Sequence, residues 1–269
     1  MMSQTYCTFF GLSREPFGSD LKVDEILKTD AVLSVRDRVD YAIRLGAMAM
    51  ITGEVGSGKS TALRFATSGL HPSEVRLIWV TAGAGSILEL YRQMAWELET
   101  ETTSYSRAAL TRIIRKSILD LADKKQKVVL VIDEASLLRL EVFSELHSLT
   151  QFEGDSKPLL PIILAGQNNL LDKLYWKTSL PLSSRIVARS HLEGVDRQAM
   201  EDYLNHHLKI AAINHPLFTE QATTAIHQGS GGLFRRANHL ARGSLIAAAS
   251  EKCQQVSPEH VRVASTELI

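Results

Sequence analysis

Residues 53–60 read Gly53-Glu54-Val55-Gly56-Ser57-Gly58-Lys59-Ser60. This stretch matches the pattern G-x-x-x-x-G-K-[ST] at every specified position, which is the pattern of a phosphate-binding loop. Its glycines let the backbone curl so that consecutive N–H groups point inward at phosphate oxygens. A short apolar run at 47–51 precedes the stretch, and a run that favours a helix follows at 61–67. The sequence therefore predicts a strand, a phosphate-binding loop and a helix, in that order.

The side chains that end this loop have predicted roles. Lys59 is expected to reach the β- and γ-phosphates of a nucleotide, and the Ser60 hydroxyl is expected to bind Mg²⁺. The helix that begins near Gly58 adds the positive end of its dipole. The alternative, a glycine-rich turn with a chance lysine, is disfavoured by a second motif described next. The residues predicted to hold the nucleotide are Gly53, Glu54, Val55, Gly56, Ser57, Gly58, Lys59, Ser60 and Thr61.

The second motif reads Val128-Val129-Leu130-Val131-Ile132-Asp133-Glu134. Its apolar run is typical of a central parallel strand, and its two carboxylates follow at the end where open α/β sheets bind ligands. Asp133 is expected to hold Mg²⁺ through water. Glu134 is expected to orient and polarise the water that attacks the γ-phosphate. A solvated acidic turn is the alternative, and the intact loop upstream makes it the weaker one.

The next predicted strand spans 159–165. The polar segment that follows it reads Gly166-Gln167-Asn168-Asn169. A side-chain amide beside the Asp133 strand can hydrogen-bond the attacking water or the γ-phosphate. Gln167 is our first choice for this role and Asn168 our second, since a turn or a helix N-cap explains Asn168 equally well.

Strand and helix patterns alternate from residue 47 to about 192, which predicts βαβ units and a parallel sheet. After Gly194 the pattern becomes helical without a convincing strand. The predicted class is α/β, with a parallel sheet flanked by helices and a small all-helical C-terminal domain. The predicted segments are an aromatic N-terminal arm at 1–30, a nucleotide-binding α/β domain at 31–194 and a helical domain at 195–269. We expect the arm to pack on its own chain, with a neighbouring subunit as the alternative.

The amino-acid composition limits the classes of function that the chain can have. The 269 residues carry 30 basic and 30 acidic side chains, so the net charge of zero argues against a strongly basic, stand-alone nucleic-acid binder. A local basic stripe repeated around an assembled ring stays compatible with this balance. Cys7, Cys253 and the histidines fit no disulfide or metal spacing. The sequence has no apolar run long enough to span a bilayer and no apparent signal peptide, which predicts a cytoplasmic protein without a membrane partner.

Taken together, the motifs resemble those of AAA+ ATPases and, more narrowly, of the ExeA-type ATPase family. The resemblance covers nearly the whole chain. The N-terminal arm contains Phe-Gly-Leu and Pro-Phe. The phosphate-binding motif and the acidic motif follow, and after them come a Gly-Gln pair and the pattern Ser-x-Arg-Ile. The matching segments are Phe10–Leu12, Pro16–Phe17, Thr52–Lys59, Val131–Ala135, Gly166–Gln167, Ser183–Ile186 and Gly231–Asn238. One departure is Phe234, where the family usually has proline, and it puts the backbone around Arg235 in question.

The resemblance implies ATP and Mg²⁺ as ligands and assigns roles to two arginines. Arg235 would be the arginine of the helical lid that senses the γ-phosphate in its own subunit, with Arg236 as its rival. Arg185 would be the finger that enters the site of a neighbouring subunit. A guanidinium suits both roles because it is planar, permanently charged and able to bind phosphate through two donors. The alternative for each arginine is a surface salt bridge.

The resemblance also implies a process. Short members of the family resemble the transposition ATPases related to the TnsC, TniB and IstB groups, whose work implies a homo-oligomeric ring or filament on duplex DNA that selects target sites and recruits or activates a transposase or integrase. Secretion ATPases of the family carry a transmembrane helix and a peptidoglycan-binding domain, and neither appears before Ile269. We therefore expect the transposition role. The alternative is secretion or cell-envelope assembly through protein contacts. The loop at 81–85 is a further hypothesis for a DNA contact.

Overall fold

The structure is a computed structural model that describes residues 2–83, 86–100 and 106–266. Residues 84–85, which belong to the loop suggested for a DNA contact, and residues 101–105 lie outside the described residues. The chain separates into two compact units. An α/β unit comprises 29–53 and 59–192, and a helical unit comprises 54–58 with the described residues of 1–28 and 193–269. The predicted arm thus groups with the C-terminal helices instead of standing apart.

The α/β unit contains a five-stranded parallel sheet in the order β2-β3-β4-β1-β5. The predicted α/β class with a parallel sheet and a helical C-terminal region is confirmed. The strands are β1 Met48–Gly53, β2 Val75–Thr81, β3 Lys127–Asp133, β4 Ile162–Gly166 and β5 Ile186–Leu192.

The three central strands are β3, β4 and β1, and they are buried along nearly their whole length. Their apolar runs fill both faces of the sheet, as expected for parallel strands covered on each side by helices. Successive side chains of β3 alternate between two core clusters, so that Leu130 and Ile132 pack on one face and Val129 and Val131 on the other. This double burial fixes where the strands end, and hence where the residues that follow them emerge.

Helices surround the sheet within the α/β unit. They are α2 Asp30–Leu45, α3 Lys59–Thr67, α4 Ile87–Glu97, α5 Arg107–Asp123, α6 Leu140–Thr150, α7 Asn169–Tyr175 and α8 Leu180–Ser183. The alternation of leucine and charged residues from 135 to 152 predicts a single helix, and this prediction is wrong. A 3₁₀ turn at Ala135–Leu137 is followed by an extended Leu138 before α6 begins. Ser86 occupies the N-cap position of α4, but its side chain makes no capping hydrogen bond.

The helical unit packs the N-terminal arm among its own helices. These are α1 Met2–Phe10, α9 Arg197–Ile210, α10 Glu220–Ser230, α11 Phe234–Ser250 and α12 Pro258–Ser265. Tyr6, Phe10 and Phe17 are buried in the cluster that these helices form, so the rings of the arm pack on their own chain. Side chains cap α9 and α10 at their N-termini, since Asp196 accepts from the Ala199 N–H and Thr219 from the Ala222 N–H.

Side chains from α9 and α11 hold the backbone of the arm. His206 Nε2–H donates to the Glu25 carbonyl at 2.7 Å, and His207 Nδ1–H donates to the Pro16 carbonyl at 2.6 Å. Arg242 donates to the Phe17 carbonyl at 2.8 Å. Burial lowers the pKa of His207 to about 4, so this imidazole is neutral at physiological pH.

Among the described helices, we find none that combines the length and the apolar character needed to cross a membrane.

Candidate nucleotide-binding site

The predicted site residues of the α/β unit emerge at one edge of the sheet. β4 lies between β3 and β1, with Ile132 opposite Leu164 and Thr52 opposite Gly166. Because the strands are parallel, their carboxyl ends meet at the same edge. This edge, where ligands bind in open α/β sheets, carries the start of the phosphate-binding loop, the acidic pair and Gln167.

Lys59 is the first residue of α3, and its side chain is only 6% exposed. Its ammonium donates to the carbonyl of Gly53, the last residue of β1, at 3.0 Å. A buried cation needs such partners to offset lost hydration. The loop therefore carries a fixed positive charge at the helix start, where an anion is favoured.

Ser60 and Asp133 are brought together from α3 and β3. The Ser60 hydroxyl donates to Asp133 Oδ2 at 2.7 Å, and Asp133 Oδ1 accepts from the Glu134 N–H at 2.9 Å. Asp133 is 7% exposed. A hydroxyl oxygen and a carboxylate oxygen side by side form a pair of hard oxygen ligands, which is the donor set that Mg²⁺ prefers. The residues present therefore fit this ion.

Glu134 follows β3 in an unusual backbone conformation, with φ +54° and ψ +32°. This left-handed region is uncommon for a residue with a Cβ and costs energy, so it persists only where the surroundings enforce it. The Glu134 side chain is half-buried and makes no hydrogen bond or ion pair with the described residues. Its carboxylate is thus available to a water molecule.

Gln167 directly follows β4 and is half-buried. Its backbone carbonyl accepts from the Leu170 N–H at 2.9 Å, while its side-chain amide makes no hydrogen bond with the described part of the chain. Asn168 is exposed and occupies the N-cap position of α7 without a capping hydrogen bond. This geometry favours Gln167 over Asn168 for the predicted polar contact.

Residues 54–58 of the loop group with the helical unit, where they contact the start of α11. Gly56 has φ +87°, and a Cβ built on it would lie 2.7 Å from the Arg235 Cβ. The Arg235 N–H donates to the Gly56 carbonyl at 3.2 Å. Arg235 and Arg236 are both exposed and form no ion pair with the described residues. Of the two, Arg235 has the hydrogen bond that ties it to the loop.

Phe234 is the first residue of α11, and its ring lies 3.4 Å from a Cβ built on Gly58. The ring also packs on Tyr203, with ring centroids 4.4 Å apart. Leu233 before it is extended, at φ −86° and ψ 123°. Proline is favoured at the first position of a helix and requires an extended residue before it. The departure from the family pattern therefore leaves a backbone that proline also accepts, and it adds a ring beside the loop.

Arg185 lies between α8 and β5, and its guanidinium binds the Asp155 carboxylate at 2.5 Å. This hydrogen bond lowers the pKa of Asp155. Within the chain, Arg185 thus makes the surface salt bridge that was the alternative to a finger role. A finger role would require Arg185 to exchange Asp155 for a phosphate, and it stays a prediction.

Glu251, Cys253 and His260 form a cluster that sequence spacing did not indicate, with ligand atoms within 4.8 Å of one another. His260 Nδ1 accepts from the Ser257 N–H at 2.9 Å, and His260 Nε2 contacts Glu251 Oε2 at 3.1 Å. A ring that accepts at Nδ1 carries its proton on Nε2, so it donates to Glu251 instead of binding a metal. The cluster is better described as a cap at the start of α12.

Comparison with known proteins adds sequence relatives. A family model described as an AAA domain matches residues 43–174. General secretion pathway protein A of Aeromonas hydrophila is 30% identical over 269 residues, which covers 98% of this chain and 48% of that protein. The chain therefore spans about half the length of this curated relative.

Solved structures of low identity share the fold. Cdc6p from Pyrobaculum aerophilum has a TM-score of 0.76 at 17% identity, and the match covers 94% of this chain and 70% of the Cdc6p chain. The Aeropyrum pernix ORC1 protein in complex with DNA has a TM-score of 0.71 at 17% identity, with coverages of 94% and 68%. The Thermotoga maritima RuvB Holliday junction branch migration motor has a TM-score of 0.57 at 17% identity, with coverages of 95% and 74%.

The sheet order, the loop after β1 and the acidic pair after β3 define a P-loop ATPase fold of the AAA+ class. Within that class, the chain is similar to the ExeA-type AAA+ ATPases, both in its motifs and in its 30% identity to the Aeromonas protein.

Proposed function

We propose that this chain binds ATP with Mg²⁺ and hydrolyses it. The observation that carries the proposal is the 2.7 Å hydrogen bond from Ser60 to Asp133, which joins the phosphate-binding loop to the acidic strand. Glu134 follows Asp133 directly, and its carboxylate has no partner among the described residues. A phosphate-binding loop, a pair of oxygen ligands and a carboxylate able to bind water are the groups that phosphoryl transfer to water requires.

Each residue has a part in the proposed reaction. The amides of the loop and the Lys59 ammonium hold the phosphates, while Ser60 and Asp133 hold the ion, directly or through water. A bound Mg²⁺ would neutralise charge that develops on the phosphate oxygens. Glu134 accepts a hydrogen bond from the attacking water and orients it, and the Gln167 amide holds the same water or the γ-phosphate.

Replacement of Glu134 by glutamine tests the proposal. Glu134→Gln keeps the shape of the side chain but weakens its acceptor, so we expect ATP hydrolysis to fall about 10²–10⁴-fold while ATP stays bound. Lys59→Ala should abolish ATP binding. Phosphate release and binding of radiolabelled ATP measure the two effects. Glu141→Gln, an exposed change on α6, serves as the matched control. A Glu134→Gln protein that hydrolyses ATP at the normal rate would contradict the assignment.

For the process that hydrolysis serves, we propose assembly as a ring or filament on duplex DNA, with target-site selection and recruitment or activation of a transposase or integrase. The similarity of the motifs to the short transposition ATPases supports this role. A second candidate is secretion or cell-envelope assembly through protein contacts, which is favoured by the 30% identity to general secretion pathway protein A across 98% of the chain. Either role uses ATP from the cytoplasm, where we place the protein.

Retention on DNA separates the two processes. The Glu134→Gln protein, loaded with ATP and Mg²⁺, is mixed with random-sequence duplex DNA and examined by size-exclusion chromatography and electron microscopy. Rings or filaments that need both ATP and DNA support the transposition role. ATP binding without retention of DNA supports the secretion role. Lys59→Ala, which should not bind ATP, is the control for nucleotide dependence.

A further inference from the structure

The turn that follows Glu134 has two backbone carbonyls that a single side chain binds. Lys173 Nζ donates to the Ser136 carbonyl at 2.6 Å and to the Leu138 carbonyl at 2.7 Å. Ser136 belongs to the 3₁₀ turn directly after Glu134, and Leu138 is the residue that ends it. Lys173 therefore fixes the short segment that sets the direction of the Glu134 side chain.

Lys173 comes from the segment that carries Gln167. It lies on α7, which begins two residues after Gln167 at the end of β4. A second contact joins the same segments, because a Cβ built on Gly166 would lie 2.8 Å from the Ser136 amide nitrogen. The turn that bears Glu134 and the segment that bears Gln167 are thus linked both by packing and by hydrogen bonds.

The hydrogen bonds of Lys173 are of a kind that can hold the Glu134 turn and the Gln167 segment at a fixed spacing. The half-buried Lys173 ammonium makes no ion pair with a carboxylate among the described residues, so neutral carbonyls are its partners. A hydrogen bond from a charged donor is roughly twice as strong as one between neutral groups. The left-handed backbone of Glu134 is disfavoured on its own and needs such support from its surroundings.

We propose that Lys173 is a positioning residue for hydrolysis, which holds Glu134 and Gln167 at the spacing needed to orient one water molecule. This inference rests on the proposed ATP hydrolysis at this site. Among the described residues, the Lys173 ammonium binds the two backbone carbonyls of the turn after Glu134 and no predicted site residue. Its effect passes through the turn at 135–138, and a small displacement of an orienting group is enough to slow a reaction strongly.

Three lysine variants of the full chain test this role. Lys173→Met keeps the aliphatic stem and removes the charge, so we expect kcat to fall about 10- to 100-fold. The KM for ATP and the affinity for ADP should change less than about 2-fold, because the phosphate-binding loop is untouched. Lys173→Arg keeps a charged donor and should recover most of kcat. Lys177→Met is the matched control, since Lys177 is exposed and makes no hydrogen bond with the described residues.

A double variant separates positioning from a merely structural role. If Lys173 acts through Glu134, adding Lys173→Met to Glu134→Gln should slow hydrolysis little further. A full additional decrease, or a parallel loss of kcat, ADP affinity and melting temperature, would overturn the inference. Lys173→Gln, which keeps a neutral donor, replaces the methionine variant if that protein does not fold. A folded Lys173→Gln protein with normal kcat also overturns it.

The outcome for Lys173 is distinguishable from the outcome for the proposed function. Absence of ATP hydrolysis by both the unmodified chain and Lys177→Met would remove the proposed function itself. Hydrolysis by these two proteins together with a normal kcat for Lys173→Met would remove only the positioning role.

Discussion

At the residue scale, Phe234 shows that a side chain can differ from the usual proline while the backbone keeps a conformation that proline can adopt. The helix α11 begins at this position, and Leu233 before it is extended. The ring packs against Tyr203 and lies beside Gly58. The position therefore separates two properties, the backbone of the helix start and the packing of the ring.

Proline substitutions at two sites of α11 should differ in cost. Phe234→Pro is compatible with the helix start and should lower the free energy of unfolding by about 0.5–1.5 kcal/mol through the lost ring contact. Ala237→Pro removes the hydrogen bond from the Ala237 N–H to the Leu233 carbonyl and should cost about 3 kcal/mol or more. Denaturant unfolding measures both. Equal costs would show that the start of α11 does not accept proline.

Residues of the site that lie within one short motif can be predicted from the sequence, whereas a residue whose partners are distant in sequence cannot. Lys59, Ser60, Asp133 and Glu134 are contiguous within short motifs, so their roles can be predicted from spacing and from the strand that precedes each pair. Lys173 carries no such signal, because its acceptor carbonyls lie 35 and 37 residues away and any backbone carbonyl can accept a hydrogen bond. Contacts to backbone groups across a fold leave no residue pattern to read.

At the scale of elements, the apolar runs at 47–51 and 128–132 predict β1 and β3 to within two residues at each end, since continuous apolar runs mark buried parallel strands. The prediction for β4 starts too early. Pro161 lies inside the predicted run, and β4 begins at Ile162 because proline has no N–H for a central strand. The apolar-rich run at 186–189 predicts a strand that ends too early, since β5 extends to Leu192. β5 lies at an edge of the sheet and alternates buried and exposed side chains, which weakens its apolar signal.

The contact between the end of β4 and the turn after β3 is tight enough to test. Gly166→Ala would place a Cβ 2.8 Å from the Ser136 amide nitrogen, so we expect the free energy of unfolding to fall by about 1–3 kcal/mol. Gly69→Ala, where a Cβ would have no atom within 4 Å, should be neutral or slightly stabilising. Urea unfolding measures the two variants. A stable Gly166→Ala protein would mean that the turn yields easily.

For the whole molecule, the buried His207 makes stability depend on pH. Burial lowers its folded-state pKa from 6.5 to about 4, so between these values the unfolded chain binds more protons. The contribution of this group to stability is complete above pH 6.5 and is lost as pH falls toward 4, by at most about 3 kcal/mol. Unfolding at several pH values should show this decrease, and His207→Asn should flatten the profile. An unchanged slope in the variant would assign the pH dependence to other groups.

Mixing two inactive variants tests whether the molecule works as an oligomer with Arg185 acting between subunits. Arg185→Ala retains its nucleotide site, and Lys59→Ala retains its arginine. A mixture should therefore recover part of the ATPase activity, because arginine fingers contribute about 10³–10⁵ in rate in other NTPases. Loss of the exposed pair with Asp155 should matter little, since water screens it. Arg189→Ala is the matched control. A mixture that stays inactive would contradict the role of Arg185 between subunits and would leave only its salt bridge with Asp155.

The burial of Tyr6 and Phe17 among the C-terminal helices affects any attempt to dissect the chain. A fragment that begins at residue 31, where the sequence alone predicts a boundary, would lack these rings and would leave an apolar groove open to water. His206 and His207 would also lose their carbonyl acceptors. Such a truncation should aggregate during purification, so its inactivity would report poor solubility and reveal nothing about catalysis.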